Sequence, residues 1–244
     1  MLFGAIMKLK IMLYGTFGGG IMFDFRKVPL PDYSRFEDII NSVTHALGIP
    51  LSILAIVFCA VKIKDGASAA QILGIILYGG CMALLYFGSA FYHGLKPGFV
   101  KQVARVLDHS NVFLMIAGSL SAFFLLGVFN HNRVQAIIFL VLSWVGALTG
   151  IFLTLMDQER FKKVQMIMYI FLGWLALFSL KTIYDNYAAG KIIIALFVVG
   201  GIVYMLGAAV YGIGKKKRYF HAVFHFFVLA GTIIQFVGIY NYML

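Results

Sequence analysis

A chain of 244 residues that is 62% hydrophobic and only 12% charged, with a mean hydropathy of +0.94, is far too apolar for a water-soluble domain. These values exclude a soluble enzyme and point to a polytopic protein of the cell membrane. The net charge of +11 does not imply nucleic acid as a partner here; in a membrane protein it reports which face the Lys and Arg residues occupy.

In chain order, residues 1–36 read as an N-terminal cytoplasmic or interfacial extension and 37–244 as a transmembrane domain. The apolar opening MLFGAIM is broken by Lys8 and Lys10 with no small-residue cleavage site after it, so no secretory signal is expected. The Gly-rich run at 11–23 is short for a crossing and reads as interfacial. Seven longer apolar runs follow, at 43–62, 70–93, 104–128, 134–156, 164–183, 191–213 and 219–242. Each is close to the roughly 20 residues a helix needs to span the hydrocarbon layer. They are continuously apolar, whereas strands of an outer-membrane barrel would alternate. Lipid offers the backbone no partner, so the runs are helices. The expected fold class is an all-α seven-transmembrane helix bundle with short loops. Cys59 and Cys81 fall inside runs without metal-type spacing and read as small buried hydrophobes, with no disulfide expected.

Seven crossings divide the 20 Lys and Arg residues unevenly, fifteen on the face carrying the N-terminus and five on the other. The positive-inside rule then predicts a cytoplasmic N-terminus and an external C-terminus. Attraction to anionic headgroups is a second consequence of the same basic residues.

Ionisable side chains inside a membrane are expensive and mark function. Of nine acidic residues, only Asp108 falls within a run as delimited above. His131 belongs to an external loop and is expected to be solvated. With the predicted orientation, Ser89 and His93 end the second run at the cytoplasmic side, and Asp108 and His109 lie near the start of the third there. His221 and His225 open the seventh, and His45 the first. All these candidates therefore lie in one leaflet. Spacing sharpens this, because residues four apart share a helix face, as do His221 and His225, Ser89 and His93, and Asn41 and His45.

Two imidazoles on one helix and a third from a neighbour make up the three protein ligands of a catalytic zinc site, and His93, His221 and His225 fit. Asp108 would take a proton from a bound water or hydrogen-bond a ligand. The same His-x-x-x-His pair also arises where imidazoles hydrogen-bond across a helix interface. Ser89 either donates to a substrate carbonyl or bonds back to its own helix. His109 reads as a packing or headgroup residue, and His45 as bonded to Asn41 or a helix end.

The set Asp38-x-x-Asn41-x-x-x-His45, Ser89-x-x-x-His93, Leu107-Asp108 and His221-x-x-x-His225 resembles the hemolysin III branch of the progestin and adipoQ receptor family, grouped more widely with the alkaline ceramidases. The similarity runs over 34–244 in four segments in the right order. It implies a seven-helix bundle with a cytoplasmic N-terminus and zinc held near the inner leaflet by His93, His221 and His225. It further implies that Asp108 engages a water at the metal and that Ser89 lies beside it. The family usually carries Glu three residues before the Asn, whereas here Asp38 stands in that place with Glu37 one position earlier.

The expected function is a zinc-dependent hydrolase of a lipid amide or ester, ceramidase-like, because a site at leaflet depth meets acyl amides more readily than soluble metabolites. Membrane lipids and a lipid substrate or ligand, such as a fatty acid or acyl amide, are the expected partners. Two competing readings are a lipid-sensing receptor or membrane-homeostasis protein with structural zinc, and a pore-forming cytolysin. A pore would need polar positions through the full thickness, and the outer half holds mainly scattered Ser, Thr and Gln235.

Overall fold

The first helix is inverted relative to a helix in water. Helix α1 (Arg35–Ala46) buries its polar face, Glu37, Asp38, Asn41, Thr44 and His45, and exposes Phe36, Ile39 and Val43. An amphipathic helix of a soluble protein does the reverse, so this pattern suits lipid outside and a polar site inside. A capping box starts the helix: Ser34 Oγ accepts from the Glu37 N–H at 3.2 Å, and Glu37 Oε2 accepts from the Ser34 N–H at 3.0 Å. One residue later α2 (Gly48–Ile63) continues the chain. Pro50 has no N–H to donate to Ala46 and its ring crowds that carbonyl, which places the break here. The two helices together form one apolar stretch, Arg35–Ile63. The expected run at 43–62 therefore starts too late, and Asp108 is not the sole acid in such a stretch.

The computed structural model describes residues 25–63, 66–214 and 217–244. The run at 11–23, and with it most of the N-terminal extension, lies outside the described residues. Helix α3 (Ala69–Gly94) opens with a second capping box, Ser68 with Gln71. Helix α4 (Phe99–Ala122) follows Gly98, whose φ of 155° favours glycine, and runs on as a π-helix over Phe123–Val128. Helix α5 (Arg133–Gly173) is capped by the Asn132 side chain, which accepts from the Gln135 N–H at 3.0 Å. A 3-10 turn (Leu175–Ser179) leads into α6 (Leu180–Asn186), then α7 (Gly190–Gly214) and α8 (Phe220–Tyr242).

Inside α5 the backbone turns at Asp157, which is extended at φ −165° and ψ 96°. Its carboxylate accepts from the Arg160 N–H at 2.9 Å and so caps the second arm. The arms are antiparallel. Gln135 Nε2 donates to the Phe178 carbonyl at 3.1 Å, Thr182 Oγ1 donates to Gln135 Oε1 at 2.7 Å, and Gly146 lies against Leu172. The second arm begins directly after Asp157, without the loop expected before 164, and the expected run at 164–183 is interrupted at Trp174 by the 3-10 turn.

Among the described residues there is no strand, and six helical stretches are long and apolar enough to cross a membrane. With these spans the protein is a multi-pass membrane protein that contacts membrane lipids. The most extensive packing joins α3 to α4 and α7 to α8, while α8 also meets α1 and α2. A polar pin holds the middle of the bundle. Thr232, fully buried on α8, receives hydrogen bonds from Tyr86 of α3 at 2.8 Å and Tyr204 of α7 at 2.9 Å. Cys59 and Cys81 are buried free thiols, as expected.

Candidate metal centre

Two helices bring three imidazoles to one point. His93 lies in the last turn of α3, and His221 and His225 lie one turn apart at the start of α8. That start is tied to α1 by Glu37 Oε1, which accepts from the Tyr219 N–H at 3.2 Å; Tyr219 itself has a left-handed φ of 66°. The Nε2 of His221 lies 3.1 Å from Nε2 of His93 and 3.1 Å from Nε2 of His225, and the ligand atoms of all three rings fall within 4.8 Å of one another. A tetrahedral zinc with Zn–N bonds of about 2.0–2.1 Å holds neighbouring nitrogens about 3.3 Å apart, close to what is seen.

The partners of the opposite nitrogens fix which atoms carry hydrogen. His93 Nδ1 faces Asp38 Oδ1 at 3.1 Å, and a carboxylate only accepts, so Nδ1 donates and Nε2 keeps its lone pair. His225 Nδ1 faces the Asn41 carbonyl at 3.2 Å and Thr44 Oγ1 at 3.0 Å. The Thr44 hydroxyl spends its own hydrogen on that same carbonyl at 3.0 Å, so His225 Nδ1 is again the donor. Two bare lone pairs therefore point at His221 Nε2, which can satisfy at most one of them by donating. A cation between the three nitrogens satisfies all of them. His221 Nδ1 is buried without a hydrogen bond, while the rings of Tyr33 and Tyr211 lie 5.4 and 5.5 Å from the His221 ring. Tyr33 belongs to the segment before α1, which Gln102 and Arg105 of α4 hold through the carbonyls of Val28 and Pro29. Burial pushes its hydroxyl pKa well above the ordinary value, so the ring covering the cluster is neutral.

The remaining candidates fall as follows. Ser89 is buried on α3 one turn before His93 and its hydroxyl makes no hydrogen bond, which removes the reading in which it bonds back to its own helix. Asp108 is buried on α4 but makes no hydrogen bond to the three imidazoles; His109 Nδ1 lies 3.9 Å away. His109 bonds the Arg105 carbonyl of its own helix at 2.9 Å. His131 is exposed, near the Tyr187 ring. His45 departs from expectation: neither ring nitrogen has a hydrogen bond, and the ring stacks on His225 with centroids 3.5 Å apart.

Spacing alone does not mark Asp38, Thr44 and Lys101 as site residues, and it assigns no role to Asp38 or Asn41. The signal available for Asp38 is its place in the motif three residues before Asn41; for Lys101 there is none, since it belongs to a basic loop in the sequence.

The family model described as haemolysin-III related matches residues 33–236. The chain is 31% identical over 208 residues to Hemolysin-3 of Bacillus cereus, covering 85% of this chain and 92% of that one. It is 32% identical over 206 residues to the Hemolysin-3 homolog of Bacillus subtilis (strain 168), covering 84% of this chain and 94% of that one. Every histidine of the cluster lies inside the matched region, and the chain belongs to the haemolysin-III related family.

Proposed function

We propose that the protein is a seven-helix membrane hydrolase that uses zinc, held by His93, His221 and His225 near the cytoplasmic leaflet, to cleave the amide or ester bond of a lipid. The observation that carries this reading is the convergence of three Nε2 atoms, two with their lone pairs fixed by partners behind them. Seven crossings follow if the two antiparallel arms that meet at Asp157 each span the membrane. A single straight helix over Arg133–Asn186, 54 residues, would be about 81 Å long at 1.5 Å per residue, against a core of about 30 Å. The basic residues then favour a cytoplasmic N-terminus and an external C-terminus.

When bound, zinc polarises a carbonyl and lowers the pKa of water toward about 7. The protein's own groups supply the rest. Asp108 accepts a proton from the attacking water, Ser89 donates to the carbonyl oxygen of the substrate, and Tyr33 excludes bulk water from above His93 and His221.

Protein in nanodiscs is expected to release fatty acid from a long-chain acyl amide, to stop after chelation and to recover with zinc. Asp108→Asn should lower turnover about 10²–10⁴-fold while leaving metal content unchanged, as loss of a general base does. Chelator-insensitive turnover would reject the mechanism, and thermal stabilisation by fatty acid with no product would favour the receptor reading. The relatives' names favour lysis for those proteins. In this chain, Phe123, Phe124, Val128, Ile193 and Ile239 are buried in the interior away from the histidines, an apolar filling that disfavours a water-filled pore.

A further inference from the structure

We infer that Asp38 is a positioning residue for this centre, forming with Lys101 a charge-balanced bracket that fixes the orientation and tautomer of His93. The inference rests on the zinc reading above. His93 is held by a charged group on its far nitrogen, whereas His225 has neutral acceptors there and His221 Nδ1 has no hydrogen bond. One carboxylate oxygen of Asp38 meets His93 Nδ1 at 3.1 Å, and the other accepts from Lys101 Nζ. The side chains are almost inaccessible, with 0% exposure for His93, 7% for Asp38 and 4% for Lys101.

A carboxylate shut away from water is costly unless it is paired and hydrogen-bonded, and here both conditions hold. Lys101 supplies the balancing charge and also donates at 3.1 Å to the carbonyl of Leu95, the residue that caps α3 two positions beyond His93. The bracket therefore joins α1, α3 and α4 around one ring. A charged acceptor makes a stronger hydrogen bond than a carbonyl, raises the basicity of the opposite nitrogen and holds the ring with Nε2 aimed at the cluster. His93 is the sole ligand outside α8, so its placement sets whether the α8 pair acquires its third partner.

The test uses the full chain in detergent, with zinc affinity read by competition against a chelator and geometry read from the visible d–d spectrum of bound cobalt. Asp38→Asn should weaken zinc binding about 10–100-fold and shift the cobalt bands. Lys101→Gln, which keeps a donor but removes the charge, should weaken binding in the same direction and guards against a variant that fails to fold. Ser42→Ala is the control for general loosening of α1, because the Ser42 hydroxyl holds that helix to the Ala90 carbonyl of α3 at 2.8 Å without touching a histidine; it should match the parent. Parental affinity and spectrum in both Asp38→Asn and Lys101→Gln would overturn the bracket alone. Equal weakening in Ser42→Ala would overturn it too, by assigning the effect to helix placement. A parent that binds neither metal would overturn the zinc reading and the bracket together.

Discussion

Replacing His225 with alanine is expected to remove stoichiometric metal from the purified protein and lower its unfolding temperature. Loss of a residue behind a ligand already costs about 10–100-fold in metal affinity, so loss of a ligand should cost more. A ligand present at about 1,000 times its Kd stabilises the folded state by about 4 kcal/mol, and that contribution disappears with the metal. The ring is also 1% exposed, so its removal leaves a cavity and takes away the N–H that Thr44 Oγ1 and the Asn41 carbonyl share. His225→Gln separates these effects by keeping most of the volume and an N–H donor; it should lose metal while losing less stability. Single substitutions at His93 and His221 should reduce metal to the same low level, and a double substitution should add little, because the ligands act as a unit. One metal per chain retained in His225→Ala, measured by mass spectrometry of the acid-digested protein, would contradict the assignment.

Gly118→Leu is expected to be strongly damaging although it lies away from the histidines. A Cβ at Gly118 would lie 2.6 Å from Cys81 Cβ and 2.9 Å from the Leu77 carbonyl oxygen. The second is backbone, which cannot rotate aside as a flexible side chain can. Overpacking a buried interface costs about 1–3 kcal/mol and sometimes more, and here it acts in the extensive interface between α3 and α4. Because α3 carries His93, the strain should also weaken metal binding. A Cβ at Gly80, on α3, would meet nothing within 4 Å, so Gly80→Ala should be within about 0.5 kcal/mol of the parent. Thermal unfolding in detergent distinguishes the two, and equal midpoints would contradict the packing described.

The apolar runs were legible in the sequence because lipid enforces one rule everywhere: long, continuously apolar and helical. The rule fails at α1. Its helix carries Glu37, Asp38, Asn41, Thr44 and His45 inward, so its average hydropathy is low although its outer face meets lipid. A reading that averages over a window places its start after the polar stretch. The turn at Asp157 was visible as a cluster of charge, but not that Asp157 would cap the following arm and leave no loop.

Within the site, His221 and His225 were legible from helix periodicity, and His93 from its depth. Their common point was not, since it depends on how α3 meets α8. The i, i+4 relation of Asn41 and His45 was misleading. The Asn41 carbonyl goes to His225 and Thr44 instead, and the His45 ring turns to stack on His225. Lys101 was hidden because a cation near a helix end ordinarily faces solvent, and here the buried Asp38 and the Leu95 carbonyl hold it inward.

X-ray absorption at the zinc edge, on protein purified without added metal and quantified per chain, tests the central claim most directly. The expected result is about one zinc per chain with three imidazole nitrogens at about 2.0–2.1 Å, lost in the His93, His221 and His225 alanine variants. Zinc at background level in a folded parent, or a metal signal unchanged in those variants, would contradict it.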